Sequence, residues 1–195
     1  MGDSTAYAVY RTTDASLAYT QAMHLRSLMT ECEPKAGLYA ELRTVKDVRQ
    51  MVAVLPDGRF DFADMRTDPS GEELWFDLDV TTAADAELEA HLPLDVMLDV
   101  PAGSVEERFI AALGQGMAAI DWPGLWPDEP EADHYGNAKY DGVQIVFHGD
   151  NAQLGHWTEH HTVFVHVGKF GDLLRAQELA ARIGGKVLGE PQTGW

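Results

Sequence analysis

At 195 residues and 45% hydrophobic content, the chain is long enough to bury a substantial core and too apolar for intrinsic disorder. Its single cysteine, Cys32, excludes an intramolecular disulfide and a cysteine-based zinc site, and no apolar run nears the roughly 20 residues that cross a bilayer. A net charge of −18 argues against direct binding to nucleic acid or to an anionic membrane, and a cytoplasmic protein is expected.

In chain order, Tyr7, Val9 and Tyr10 suggest an opening strand. Thr13 or Asp14 caps a helix running to about Glu31, with Ala18, Ala22, Leu25 and Met29 at helical spacing and Pro34 and Gly37 as stops. Residues 38–50 fit strand and helix equally. Met51–Leu55 and Arg59–Phe62 read as a hairpin around Pro56-Asp57-Gly58. Glu73–Val80 alternates, with Leu74, Phe76, Leu78 and Val80 opposite Glu73, Trp75, Asp77 and Asp79. A short helix is expected from Thr82 to about His91, then a strand over Leu94–Val100 with Asp95, Met97 and Asp99 on its polar side. Ser104 and Glu107 form a capping-box pattern for a helix carrying Phe109, Leu113, Met117 and Ile120.

Residues 121–141 contain Pro123, Pro127 and Pro130 and read as irregular. Val143–His148 and His161–Val167 read as strands, Leu173–Ile183 as a helix stopped by Gly184-Gly185, and Lys186–Leu188 as a last strand. Gly168-Lys169-Phe170-Gly171 is too poor in glycine for a phosphate loop and fits a tight strand-to-helix turn. The expected class is α+β, an antiparallel or mixed sheet with helices on one face. The C-terminal half, from residue 93, fits a ferredoxin-like β-α-β-β-α-β unit with an insertion at 121–141. Residues 1–92 form an N-terminal α+β portion, separate or continuous with it.

The charge is local. Residues 57–141 hold 21 acids against Arg59, Arg66, Arg108 and Lys139, whereas six acids meet six bases before them and five meet four after. If the strands at 59–62, 73–80 and 94–100 share a sheet, Asp61, Glu73, Asp77, Asp79, Asp95 and Asp99 turn outward together, with Trp75 and Met97 among them. Like charges set opposite one another destabilise strand pairs, so such an array implies stagger, bound cations or a basic partner. The readings are a docking face for a basic protein (an inhibitor or immunity module, or a mimic of nucleic-acid phosphates), a Mg²⁺ or Ca²⁺ site, or a merely solvated face.

Trp122 and Trp126 lie in a stiff Trp-Pro-Gly-Leu-Trp-Pro segment. They are either interface anchors or indoles folded over an open end of the core, and the second is the commoner use. His148, Asp150, His156 and His160 crowd one predicted hairpin mouth and offer nitrogen and oxygen ligands for Zn²⁺, Mn²⁺ or Fe²⁺, although their spacing matches no named metal motif. The sequence carries no Gly-x-Ser-x-Gly elbow and no reactive context around Cys32. The reading preferred from sequence is therefore a cofactor-free, non-enzymatic module that docks a basic protein surface. The rivals are a metal-dependent hydrolase built on the histidine cluster and a structural or assembly subunit whose acidity is incidental.

Overall fold

A computed structural model of the chain describes residues 3–195. Among these, nine strands form one antiparallel sheet and five helices pack against it, an α+β architecture. β1 (Thr5–Thr12) leads into α1 (Ala15–Arg26), capped by Asp14 accepting from the Leu17 N–H. The helix ends at Arg26, earlier than the periodicity suggested, and the chain turns into the short β2 (Glu31–Cys32). The ambiguous stretch resolves into both elements. β3 (Lys35–Leu42) buries Ala36, Leu38, Ala40 and Leu42 on alternate positions, and α2 (Val45–Val54) follows.

Helix α2 overturns the expected hairpin at 51–62. Thr44 Oγ1 accepts from the Asp47 N–H while the Asp47 carboxylate accepts from the Thr44 N–H, and this reciprocal cap commits Met51–Val54 to a helix. Only β4 (Arg59–Phe62) is a strand, paired with β5 (Leu94–Pro101). Thr44→Ala removes one half of the cap and is expected to cost about 1 kcal/mol of stability, read by urea denaturation.

The alternation at 73–80 is also not a strand. Its only ladder contact is an isolated bridge between Thr67 and Glu73. Phe76 and Leu78 satisfy the apolar pattern by packing at the edge of the core. Asp68 and Asp79 close local turns by accepting from Ser70, Glu72 and Thr81 N–H groups. Two short helices, α3 (Asp85–His91) and α4 (Glu106–Ala111), flank β5.

The insertion expected at 121–141 begins with a central strand. β6 (Ala118–Leu125) pairs with β3 on one side and β7 (Gly142–Phe147) on the other. Pro123 is tolerated because the β3 pairing ends at Gly37↔Asp121, so its missing N–H removes no bond from that ladder. Its carbonyl still accepts from the Glu33 N–H at 3.1 Å. β8 (His161–His166), α5 (Leu173–Arg182) and β9 (Gln192–Thr193) complete the chain. The last strand is thus β9, not Lys186–Leu188. Gly168 and Gly171, both at positive φ, make the tight turn into α5.

Across the sheet the order is β4-β5-β3-β6-β7-β8-β1-β9, with β2 on β6. β3 stands between β5 and β6, and β1 between β8 and β9, so the ferredoxin-like order expected from Leu94 onward is not reproduced. Strands from both sides of residue 92 interleave. All five helices send buried side chains into one core, among them Leu25, Met51, Leu88, Phe109 and Leu179, against Val9, Leu38, Val96, Ile120 and Val165. On the opposite sheet face Ala152, Leu154 and Leu188 pack on Ala6, Ala8, Val146 and Phe164 of β1, β7 and β8, and cover extends to Ala119 of β6, which is also buried. Over β4, β5, β3 and β6 that face carries the polar residues of each strand, and no helix lies on it.

Candidate functional site

Strand period and register build this face. Leu94, Val96 and Val100 turn inward, so Asp95, Met97 and Asp99 turn outward. Asp61 is paired directly with Asp95, and Asp95 with Glu41, giving three acids side by side across β4, β5 and β3. The next row holds Arg59, Met97, Tyr39 and Ala119. The third holds Asp99, Gly37, Asp121 and Gln144.

Some of these acids have local partners. Asp99 Oδ2 accepts from Lys35 Nζ at 3.1 Å, Glu41 from Arg43 Nε at 2.6 Å, and Asp61 lies 3.5 Å from Arg59. Asp95 and Asp121 make no ion pair among the described residues. One carboxylate oxygen of each is enclosed without a hydrogen-bond partner. Burial, then the Asp61 carboxylate, raises Asp95 to about 6, a rise that Arg59 opposes and Glu41 reinforces. Burial raises Asp121 to about 7, with Asp99 adding to the rise and Gln144 opposing it. Burial first, then the Asp95, Glu41 and Asp64 charges, pushes the Tyr39 phenol up to about 12. The face therefore places these carboxyls in a setting that disfavours their charged form.

The other acids expected in the array stand elsewhere. Glu73, Asp77 and Asp79 are exposed on the irregular segment beyond β4, outside the sheet, and Asp79 is held in its own turn by Thr81. The acidic array is thus smaller than expected and differently composed. Trp75 is 74% exposed on the same segment, beside Leu74, with Met65 also largely exposed. Arg66 anchors the segment by donating to the carbonyls of His91 and Leu92 and lying 4.3 Å above the Phe62 ring.

Trp122 and Trp126 are not interface anchors. Each is 1% exposed, with indole N–H groups aimed at Glu106 Oε1 (3.5 Å) and the His166 carbonyl (2.8 Å). They are core residues, and the proline-rich segment holds them there.

The histidine tetrad does not converge either. His156 Nδ1 pairs with Asp150 Oδ1 at 3.0 Å. His148 instead packs against His161, with ring centres 4.8 Å apart, and stacks on Trp157. His160 Nε2 lies 3.9 Å from Glu159 and is not joined to His156 or Asp150. Among the described residues no three His, Cys, Asp or Glu side chains are placed to hold a metal ion.

Glu41, Gly37, Tyr39 and Asp121 belong to the face and are absent from the sequence-derived set. The alternation over 35–42 carries the signal for the first three. The alternation of Ala118, Ile120 and Trp122 against Ala119 and Asp121 carries it for the fourth. No helix among the described residues is long and apolar enough to cross a membrane. Comparison with protein families, curated proteins and solved structures finds no match for this chain.

Proposed function

We propose that the protein is a non-enzymatic cytoplasmic binding module that docks a basic surface of a partner protein on the helix-free acidic face of its sheet. An inhibitor, an immunity protein or a mimic of nucleic-acid charge would use such a face. The observation that carries this reading is the row Asp61–Asp95–Glu41, three carboxylates in adjacent register positions of a face that no helix covers. Such a row weakens the sheet that carries it, and a cationic partner relieves the repulsion. Trp75, Leu74 and Met65 beside β4 supply exposed apolar area of the kind that anchors interfaces. The field of a −18 chain speeds encounter with a cationic surface.

A nine-residue lysine peptide serves as a defined basic probe. Asp61→Lys with Asp64→Lys, the second an exposed acid two residues past β4 whose charge reaches Tyr39, is expected to weaken its binding about tenfold at low ionic strength and to flatten the dependence of affinity on salt, both measured by calorimetry. Affinity unchanged by both reversals removes this face from the account. The hydrolase alternative is not carried forward, because its four ligands stand apart.

A further inference from the structure

We infer that the gap above Gly37, between the carboxylates of Asp99 and Asp121, seats an arginine side chain of the basic partner; this rests on the docking reading above.

Gly37 lies inside β3, where glycine gives up both packing and chain entropy. Its backbone does not require glycine, since its φ lies outside the left-handed region. A strand-interior glycine without a conformational reason marks a place where another group approaches closely. The point where its Cβ would stand lies 3.6 Å from Asp99 Oδ1 and 3.9 Å from Asp121 Oδ2. One small space is therefore bordered by two carboxylate oxygens from the flanking strands β5 and β6.

Each carboxylate is set for a shared donor. Lys35 holds Asp99 by Oδ2, which leaves Oδ1 toward the gap. Asp121 presents Oδ2 to the gap, while its other oxygen, Oδ1, is enclosed and without a donor, so the carboxylate beside this space is short of partners. Burial raises the pKa of Asp121, which agrees with a carboxyl lacking its counter-charge. A guanidinium fits better than an ammonium. Its fork reaches two acceptors at once, and its weaker hydration makes entry beside an enclosed oxygen cheaper. Tyr39, two residues along the same face, and Met97, its cross-strand neighbour, offer flat apolar area on which the guanidinium plane can lie.

The test titrates the intact protein with nine-residue arginine and lysine peptides, with Asp121→Asn and Gly37→Val as variants. The parent is expected to bind the arginine peptide about tenfold more tightly than the lysine peptide. Both variants are expected to lose that preference while keeping the salt-dependent binding common to the two peptides. Asp121→Asn keeps the test valid if Gly37→Val folds poorly, and far-ultraviolet circular dichroism checks both.

Equal affinity of the parent for the two peptides overturns the arginine seat, as does a preference that survives in Asp121→Asn. If Asp61→Lys with Asp64→Lys still weakens both peptides, only the seat falls and the docking face stands. If those reversals change nothing, both fall. Stoichiometric Mg²⁺ or Ca²⁺ binding that disappears in Asp121→Asn also overturns the seat, because the gap is then a cation site.

Discussion

Asp121→Asn melts at a higher temperature than the parent protein at pH 8, and the difference shrinks on acidification until it is gone near pH 4. The cause is the raised pKa of Asp121, about 7 in the fold against an ordinary 3.8. Below 3.8 the carboxyl is protonated in both folded and unfolded chains and costs nothing. As pH rises from 3.8 to 7 the unfolded chain ionises freely while the folded one resists, so stability is lost across that window. Above 7 the penalty is complete. A difference of this size is worth roughly 2 to 4 kcal/mol for a group that keeps some exposure, or about 5 to 10 °C in a domain of this length. Differential scanning calorimetry of parent and variant from pH 4 to 8 reads it directly. A variant no more stable than the parent at pH 8 would show that Asp121 ionises at little cost. The test of the arginine seat gains from this, since the variant that lacks the carboxylate is the better-folded one.

His166→Ala is expected to destabilise the fold by about 3 to 5 kcal/mol at pH 7, measured by urea denaturation. His166 is wholly buried. Its Nδ1 meets Ser4 Oγ at 2.7 Å and its Nε2 meets Gln144 Oε1 at 3.1 Å, while its ring stacks on Trp195 with centres 3.5 Å apart. Truncation leaves Ser4 Oγ and Gln144 Oε1 buried without their partner and opens a void beneath Trp195. Burial pushes the imidazole pKa down to about 3, so it is neutral in the fold. An unfolded histidine takes a proton below about 6.5, so His166 costs stability as pH falls from 6.5 toward 3. His161, pushed down to about 4 by burial and then by His148, acts in the same sense.

These histidines and the two raised acids oppose each other. Between about pH 4 and 6, unfolding releases protons from Asp95 and Asp121 and takes them up on His161 and His166. The parent therefore gains little pH dependence from these four groups, and single substitutions unmask it. Asp121→Asn becomes acid-sensitive in that window, whereas removing His166 makes stability fall as pH rises.

Much of the fold was legible in local pattern. The alternation of Leu94–Val100, the helical spacing of Ala18, Ala22 and Leu25, and the run at 143–147, apolar except for Gln144, each predicted the observed element. Failures arose where two patterns coincide or where a strand lacks a neighbour. Met51–Leu55 is apolar enough for either element, and the cap at Thr44 and Asp47, seven to four residues upstream, decided it. Glu73–Val80 alternates as well as β5 does, yet no strand lies beside it to complete a ladder. Ala118–Leu125 was hidden by the helical spacing of Phe109, Leu113, Met117 and Ile120, although that helix ends at Ala111, and by Pro123, whose position past the last β3 pair could not be known without the register. The candidate site was half legible for the same reason. Asp61, Asp95 and Asp99 follow from period alone, but Glu41 and Asp121 join them only through pairings between β3, β5 and β6. Those are long-range facts that no window of sequence contains.

The placement of β1 between β8 and β9 has a consequence for biosynthesis. Ser4 and His166, joined by a hydrogen bond, are 162 positions apart. A ribosome delivers β1 long before its ladder partner β8, so while the intervening residues are made β1 carries unsatisfied amides and the apolar side chains Tyr7 and Val9. Closure over so long a span is slow, and the waiting strand is the part of the nascent chain most open to chaperones and to self-association.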